Sequence, residues 1–310
     1  MSLVDASLTA LRVFREVAER GTLTAAASAL GYTQSAVSRQ IASLERAAGT
    51  PLVRRHPAGV RLTPAGHVVL RRAVAALDQL DAGARELSGE PGERVTVRLG
   101  WFSSAGAGLL PRALSMLRRT HPAITVVSRE GSTPSLVRAL RAGTVDLAVL
   151  SSRPPYRAPD AETPALRLST LAERGLRVAV PADHPLARGE FVEFADLHGQ
   201  RWIASPSAGE DRRMGVWPGL AERPEIAHSA RDWLAKLHLV AAGVGLTTVP
   251  PALASAVPPG VRVMAVRGGP NEQRRIVLAR LPGPEAEPAD RLGDALRAAA
   301  MEAADDTPPG

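Results

Sequence analysis

Residues 21–45 read GTLTAAASALGYTQSAVSRQIASLE, and the punctuation of this stretch decides the fold of the N-terminal part of the chain. Just upstream, Leu8, Leu11, Phe14 and Ala18 recur on one face of a helix that Gly21 ends. Thr22 or Thr24 caps the short run AAASAL, Gly31 and Tyr32 make a tight turn, and Thr33 holds the N-cap position of a third helix, QSAVSRQIASLERAAG. On that helix Val37, Ile41 and Leu44 share a face that packs on the first two helices. Ser35, Arg39 and Ala42 point nearly the opposite way, with Gln34 and Ser38 on one flank and Ser43 on the other. An exposed face of small, hydrogen-bonding side chains rather than Glu and Lys fits closely into a DNA major groove. Gln and Arg read adenine and guanine edges there, and Ser allows close backbone approach.

The next stretch, PLVRRHPAGVRLTPAG at 51–66, reads as two short strands, Leu52–Arg55 and Val60–Thr63, turned at Pro57-Ala58-Gly59. Arg54, Arg55, His56 and Arg61 gather on this hairpin, a wing placed to touch the sugar–phosphate backbone or minor groove. The first 66 residues hold eight arginines against four acids. The run from Leu8 to Gly66, above all GTLTAAASALGYTQSAVSRQIASLE followed by VRLTPAG, resembles the winged helix-turn-helix of LysR-type transcriptional regulators. The resemblance implies that Gln34, Ser35, Ser38 and Arg39 lie against bases and phosphates and that Arg55 of the wing reaches DNA, with Arg54 and Thr33 beside them. Two departures touch base preference rather than the domain. Ser35 stands where proline is frequent, and Val53-Arg54 where an aromatic and an acid are common.

Thr63-Pro64 is a strong helix start, an N-cap followed by proline at the first helical position. From there Leu70, Ala73, Leu77, Leu80, Ala84 and Leu87 follow steps of three and four, with Val74 beside them. Such a narrow stripe on a long helix predicts pairing with a second copy, and packing back onto the chain's own domain is the alternative. A homodimer or homotetramer would present recognition helices to the half-sites of an interrupted inverted repeat. The Gly/Pro cluster SGEPGER closes this helix and marks a domain boundary.

From Val95 strands and helices alternate: VTVRLG, LLPRALSMLRR, ITVVSREG, SLVRALRAG, DLAVL. That order implies a parallel sheet with helices on both faces. A second lobe follows with LRVAV, RWIAS, the helix RDWLAKLHLVAAG and the strand GLTTVP, before VRVMAV, RRIVLAR and a C-terminal helix. The segments LLPRAL…HPAITV…EGSTPSLVRALRAGTVDLAVL and LVAAGVGLTTVP resemble the effector domain of the same family, so the likeness covers nearly the whole chain. It is strongest over 5–66, good over 95–150 and weaker over 152–230. The expected division is a winged helix-turn-helix at 1–63, a linker and dimerisation helix at 64–90, and a two-lobed α/β periplasmic-binding-protein-like effector domain at 91–304. Lobe I is expected at about 91–165 and 268–304, lobe II at about 166–267, and a disordered tail at 305–310.

Ligands of such folds bind at the carboxyl ends of strands, between lobes. Ser103 and Ser104 follow the first strand, and Gly131, Ser132 and Thr133 follow the second, each just before a helix whose free N–H groups favour an anion. The resemblance implies that Ser104 and Thr133 face the effector pocket. Ser205 is expected from the opposite lobe, with Gly243-Val244-Gly245 as a further candidate. Helix capping is the alternative for each hydroxyl, and Met214, Trp217 and Trp233 are expected to pack in the core, with pocket lining as their alternative. The favoured effector is a small carboxylate.

Bulk properties set the outer limits. The 310 residues suffice for two or three cores, with 45% hydrophobic and 22% charged residues but only 3% aromatics. Net charge is +7, and 37 of the 38 basic residues are arginines, Lys236 being the exception. Arginine suits phosphate and guanine, but a genome-wide bias explains the same count, so charge alone decides little. The absence of cysteine excludes disulfides, thiolate catalysis and thiol switches. No histidine pair has metal-ligand spacing and no nucleophile elbow surrounds Ser103-Ser104, so no metal, cofactor or catalytic residue is expected. The charged N-terminus lacks a signal-peptide core and prolines interrupt the uncharged run 239–261, which predicts a cytoplasmic protein with no membrane partner. The expected function is a DNA-binding transcription regulator controlled by a small-molecule effector and acting on RNA polymerase access. An enzyme carrying an accessory DNA-binding domain is the alternative.

Overall fold

Each of the first three helices opens on a hydroxyl and closes on a glycine. The computed structural model describes residues 3–57, 59–87, 95–206, 214–220, 224–270, 272–283 and 286–305. Ser7, Thr22 and Thr33 accept from the third following backbone N–H at the starts of α1 (Leu8–Arg20), α2 (Leu23–Leu30) and α3 (Gln34–Ala48). Gly21, Gly31 and Gly49 end them with left-handed backbone, which glycine adopts without steric cost. The packed face of α1 is Ala10, Val13, Phe14 and Val17, rotated from the expected stripe: Leu8 is exposed, and Leu11 and Ala18 are partly buried. Phe14, Val37, Ile41 and Leu44 lie in one core, where each large side chain contributes about 1.5–3 kcal/mol by leaving water.

The wing is antiparallel β1 (Val53–His56) and β2 (Gly59–Leu62). Glu45 Oε1 accepts from Leu52 N at 2.8 Å and from Val53 N at 3.1 Å, fastening the wing to α3. On the other side Val60 N donates to Gly21 O at 2.7 Å. A Cβ on Gly59 would sit 2.3 Å from that same oxygen. Helix α4 (Pro64–Leu87) starts with Thr63 accepting from Gly66 N at 3.0 Å and donating to Pro51 O at 2.8 Å. A Cβ at Gly66 would come within 2.1 Å of Leu52 O, so only glycine lets the helix approach the wing this closely.

The expected seam on α4 divides in two. Leu70, Ala73, Val74 and Leu77 are buried within the chain itself, Leu70 and Val74 in one core with α1 and with Ala142 of the following domain, while Leu80 and Ala84 are exposed. The first half of the helix therefore packs back onto its own chain, the alternative to a continuous dimer seam. The side chain of Leu87 and the 88–94 boundary cluster lie outside the described residues.

Lobe I is a five-stranded sheet in the order β4-β3-β5-β13-β6. Its strands are β3 (Val95–Trp101), β4 (Ile124–Glu130), β5 (Leu147–Ser152), β6 (Arg167–Gly175) and β13 (Gln273–Arg280). The first three pair in parallel, and β13 runs antiparallel to both β5 and β6. Helices α5 (Leu109–Thr120), α6 (Thr133–Arg141) and α8 (Glu287–Asp305) cover it. Lobe II holds the sheet β11-β7-β12-β8 and the parallel pair β10-β9. These strands are β7 (Arg177–Pro181), β8 (Phe191–Glu193), β9 (Arg201–Ala204), β10 (Glu225–Ser229), β11 (Thr247–Val249) and β12 (Val261–Arg267), with α7 (Trp233–Ala241) packed on them. Because β6 pairs along its length with β13, the chain leaves lobe I at Leu176, not at 166. The two crossings are tied together by Leu176 N donating to Glu272 O at 2.9 Å. Asp305 belongs to α8, so the expected tail begins one residue too early, and 306–310 lie outside the described residues.

The helical unit rests on lobe I. Glu19 pairs with Arg129, and its carbonyl accepts from Arg138 Nε at 3.0 Å. Arg141, buried, holds Asp160 through two bonds of 2.9 Å. His67 of α4 lies 3.2 Å from Glu162. Burial keeps that imidazole below its ordinary value although the carboxylate beside it pulls the other way.

Candidate functional site

Two surfaces carry side chains that folding alone does not use. The first is the outer face of α3 with the wing. Gln34, Ser35 and Arg39 are exposed and Ser38 is half-buried. Thr33 spends its oxygen on the cap, accepting from Ala36 N at 3.2 Å, and lies 3.0 Å from the Ser35 hydroxyl. Arg55 reaches across from the wing and donates to Ser38 Oγ at 3.1 Å, joining helix and hairpin into one polar surface. Arg54 and Arg61 are exposed cross-strand partners. Like charges opposite one another weaken a hairpin, and a polyanion laid against them removes that cost.

The second surface is a cavity of about 2130 Å³ between the lobes. Small-molecule sites typically occupy about 300–1,000 Å³, so this cleft is larger than a single small ligand needs. The five expected residues, Ser103, Ser104, Ser132, Thr133 and Ser205, all line it although they come from three separate stretches of chain. Their local roles differ. Ser104 is buried in a short 3-10 turn after β3, whereas Ser103 is exposed. Ser132 caps α6, and Thr133 Oγ1 donates to Ser151 O at 3.4 Å. Ser205 accepts from Lys236 Nζ at 2.8 Å.

Other expectations move. Gly243-Val244-Gly245 is not in the cavity wall. Gly243 takes left-handed backbone just after α7, and Gly245 packs near Arg201 O. Met214, Trp217 and Trp233, expected in the core, do line the cleft, although Trp217 is also part of the lobe II core. Lys236 and Arg231 went unnoticed as cleft residues. The available signal was that Lys236 is the single lysine. Among the described residues no group of three or more His, Asp or Glu is arranged to hold a metal, and no helix is long and apolar enough to cross a membrane.

A capped three-helix unit with a wing, joined to two α/β lobes around a cleft, defines a ligand-responsive DNA-binding regulator. Comparison with known proteins agrees. Residues 8–67 match the model for bacterial regulatory helix-turn-helix proteins of the lysR family, and residues 90–301 match the LysR substrate binding domain. The chain is 31% identical over 246 residues to the uncharacterized HTH-type transcriptional regulator YybE of Bacillus subtilis (strain 168), covering 77% of this chain and 81% of that one. It is 33% identical over 280 residues to the small neutral protease regulatory protein of Streptomyces coelicolor, covering 87% and 80%. The crystal structure of full-length BenM, an HTH-type transcriptional regulator of Acinetobacter baylyi, superposes with a TM-score of 0.56 at 26% identity, covering 98% of this chain and all of that one. The chain belongs to the LysR family of transcriptional regulators. It is a regulator with a helix-turn-helix DNA-binding domain and an effector-binding domain, not an enzyme.

Proposed function

We propose that Gln34, Ser35, Ser38 and Arg39 read an operator half-site in the major groove while Arg54 and Arg55 hold the adjacent backbone, with Thr33 fixing the start of the reading helix. The Arg55–Ser38 hydrogen bond carries this reading, because it makes α3 and the wing one continuous surface. The domain limits of this reading are 1–63 for the DNA-binding unit, 64–90 for the linker helix and 91–304 for the effector domain. Two or four chains place their units on an interrupted inverted repeat. The exposed Leu80 and Ala84 at the far end of α4 are the surface left for a second copy. An effector in the cleft touches Ser103, Ser104, Ser132, Thr133 and Ser205, draws the lobes together and changes the spacing or bend imposed on DNA. RNA polymerase access changes with it.

The test is a titration of the full chain against its own upstream DNA and a scrambled duplex at physiological salt. A preference of roughly a hundredfold or more, abolished in Ser38→Ala/Arg39→Ala protein, supports recognition through α3. Equal, salt-labile binding to both duplexes by wild type and variant would leave only a generic basic surface.

A further inference from the structure

The one lysine of this chain is buried in the effector cleft. Its position is hard to explain by folding alone. Lys236 sits in the first turn of α7 with 1% of its surface exposed, yet it contributes to the cavity wall. Its ammonium donates to Ser205 Oγ at 2.8 Å and lies 4.6 Å from the centre of the Trp233 ring. No carboxylate pairs with it among the described residues. Asp232, the N-cap residue of α7, is engaged in capping, accepting from Ala235 N at 2.9 Å. Arg231, just ahead of α7, adds positive charge to the same wall, and the described carboxylate in the cavity lining is Glu130 of lobe I. A hydroxyl and an indole face do not repay the removal of an ammonium ion from water. A second group is equally unsatisfied. The indole Nε1 of Trp217, also in the cavity wall, is buried without a hydrogen-bond partner.

We propose that Lys236, steadied by Ser205 and Trp233, is the anion-binding group of lobe II, and that the effector is an organic carboxylate whose charged end docks there. The inference rests on the cleft being the effector site and adds the chemistry that selects the ligand. Carboxylate supplies the counter-ion that the buried ammonium lacks among the described residues, and a charge-assisted hydrogen bond is among the stronger polar contacts in a dry site. The apolar body of the ligand lies against the tryptophans and prolines of the same cavity. The choice of lysine follows as well. Arginine stays charged under all ordinary conditions, whereas lysine can release its proton when buried alone. Burial already pushes this ammonium down to about 8. An empty cleft thus tolerates Lys236 partly neutral, and an arriving carboxylate restores the charge by drawing the missing fraction of a proton from solvent.

Because the chain holds a single lysine, 13C-lysine labelling of the full-length protein gives one ε-methylene resonance and reports on this group alone. The probes are propionate, hexanoate, phenylacetate and adipate, each beside its neutral amide. The resonance is expected to titrate near 8 without probe and to move to higher pH with a carboxylate but not with its amide. Lys236→Met is expected to weaken carboxylate binding by roughly ten- to a hundredfold, to abolish proton uptake on binding at pH 8–9, and to raise rather than lower the melting temperature. A lysine serving only as structural cement would lower it. Ser205→Ala gives a smaller loss in the same direction. A resonance titrating near the ordinary lysine value, or one that no carboxylate moves, overturns the proposal. If carboxylates bind Lys236→Met as tightly as wild type but lose affinity in Thr133→Val, the cleft reading stands and the lysine subsite falls. If neither substitution matters, the cleft reading falls too.

Discussion

The wing–α3 surface and the interlobe cleft are both positively charged, but water treats them differently. Arg39, Arg54 and Arg55 stand in solvent, where their charge is screened and costs little to hold until phosphate replaces the counterions. Lys236 is almost fully buried in the cleft wall, and no carboxylate among the described residues pairs with it, so its charge is a standing cost. A surface of the first kind binds a long polyanion with salt-sensitive affinity. A site of the second kind selects one small anion and answers to protonation.

Phe14→Ala separates the two regions most sharply. Phe14 is wholly buried in the core of the helical unit, and its truncation is expected to cost about 3–5 kcal/mol there. Circular dichroism during heating should show the helical unit melting early while the lobes and the Lys236 resonance stay native. Melting of both in one transition would mean that the Glu19–Arg129 and Arg138 contacts make them a single cooperative body.

Next in size is the pH profile of stability set by Lys236. Its folded-state value is lowered from 10.5 to about 8. Below about 8 the ammonium is charged in both states and the burial cost is felt in full. Between 8 and 10.5 the unfolded chain binds more protons, so stability rises with pH and levels off above that window. The shift corresponds to on the order of 3 kcal/mol, and denaturant titrations across the window should show the rise in wild type but not in Lys236→Met. A flat wild-type profile would place the lysine in water and erase the contrast with α3.

Arg39→Ala is expected to cost roughly 1–3 kcal/mol of operator affinity and to relax the sequence preference at one position. If competition against single-base operator variants shows a uniform loss instead, Arg39 holds phosphate and the reading side chains are Gln34, Ser35 and Ser38. Smallest is Thr33→Ala, which removes the α3 cap for about 1 kcal/mol of stability. Because Thr33 is committed to the helix, its operator loss should track the loss of folded protein in a melting experiment. A specific loss beyond that would give Thr33 a direct contact.

The N-terminal unit was legible because its signals are local. Caps at Thr22 and Thr33 and glycines at 21 and 31 act within a few residues of where they stand. The exposed face of α3 follows from helical period alone. By contrast, β6 escaped notice because RLSTLAERG has no clean alternation, and only its pairing with β13, a hundred residues later, assigns it to lobe I. The seam on α4 was visible as a stripe, yet a stripe names no partner. Whether Leu70 and Val74 face another chain or their own is decided by the approach of α1 and Ala142.

By itself the sequence determined the capped helices, the wing, the alternation of strands and helices from β3 to β5, and the hydroxyls that follow β3 and β4, since backbone propensity and periodicity are written residue by residue. Tertiary structure alone decided that Ser104, Thr133 and Ser205 share one cavity, that Trp217 and Trp233 face it, and that the single lysine lies buried beside Ser205. Burial is a property of what surrounds a residue. Lys236 and Ser205 are 31 positions apart in the chain, and nothing local to either says that water will be excluded between them.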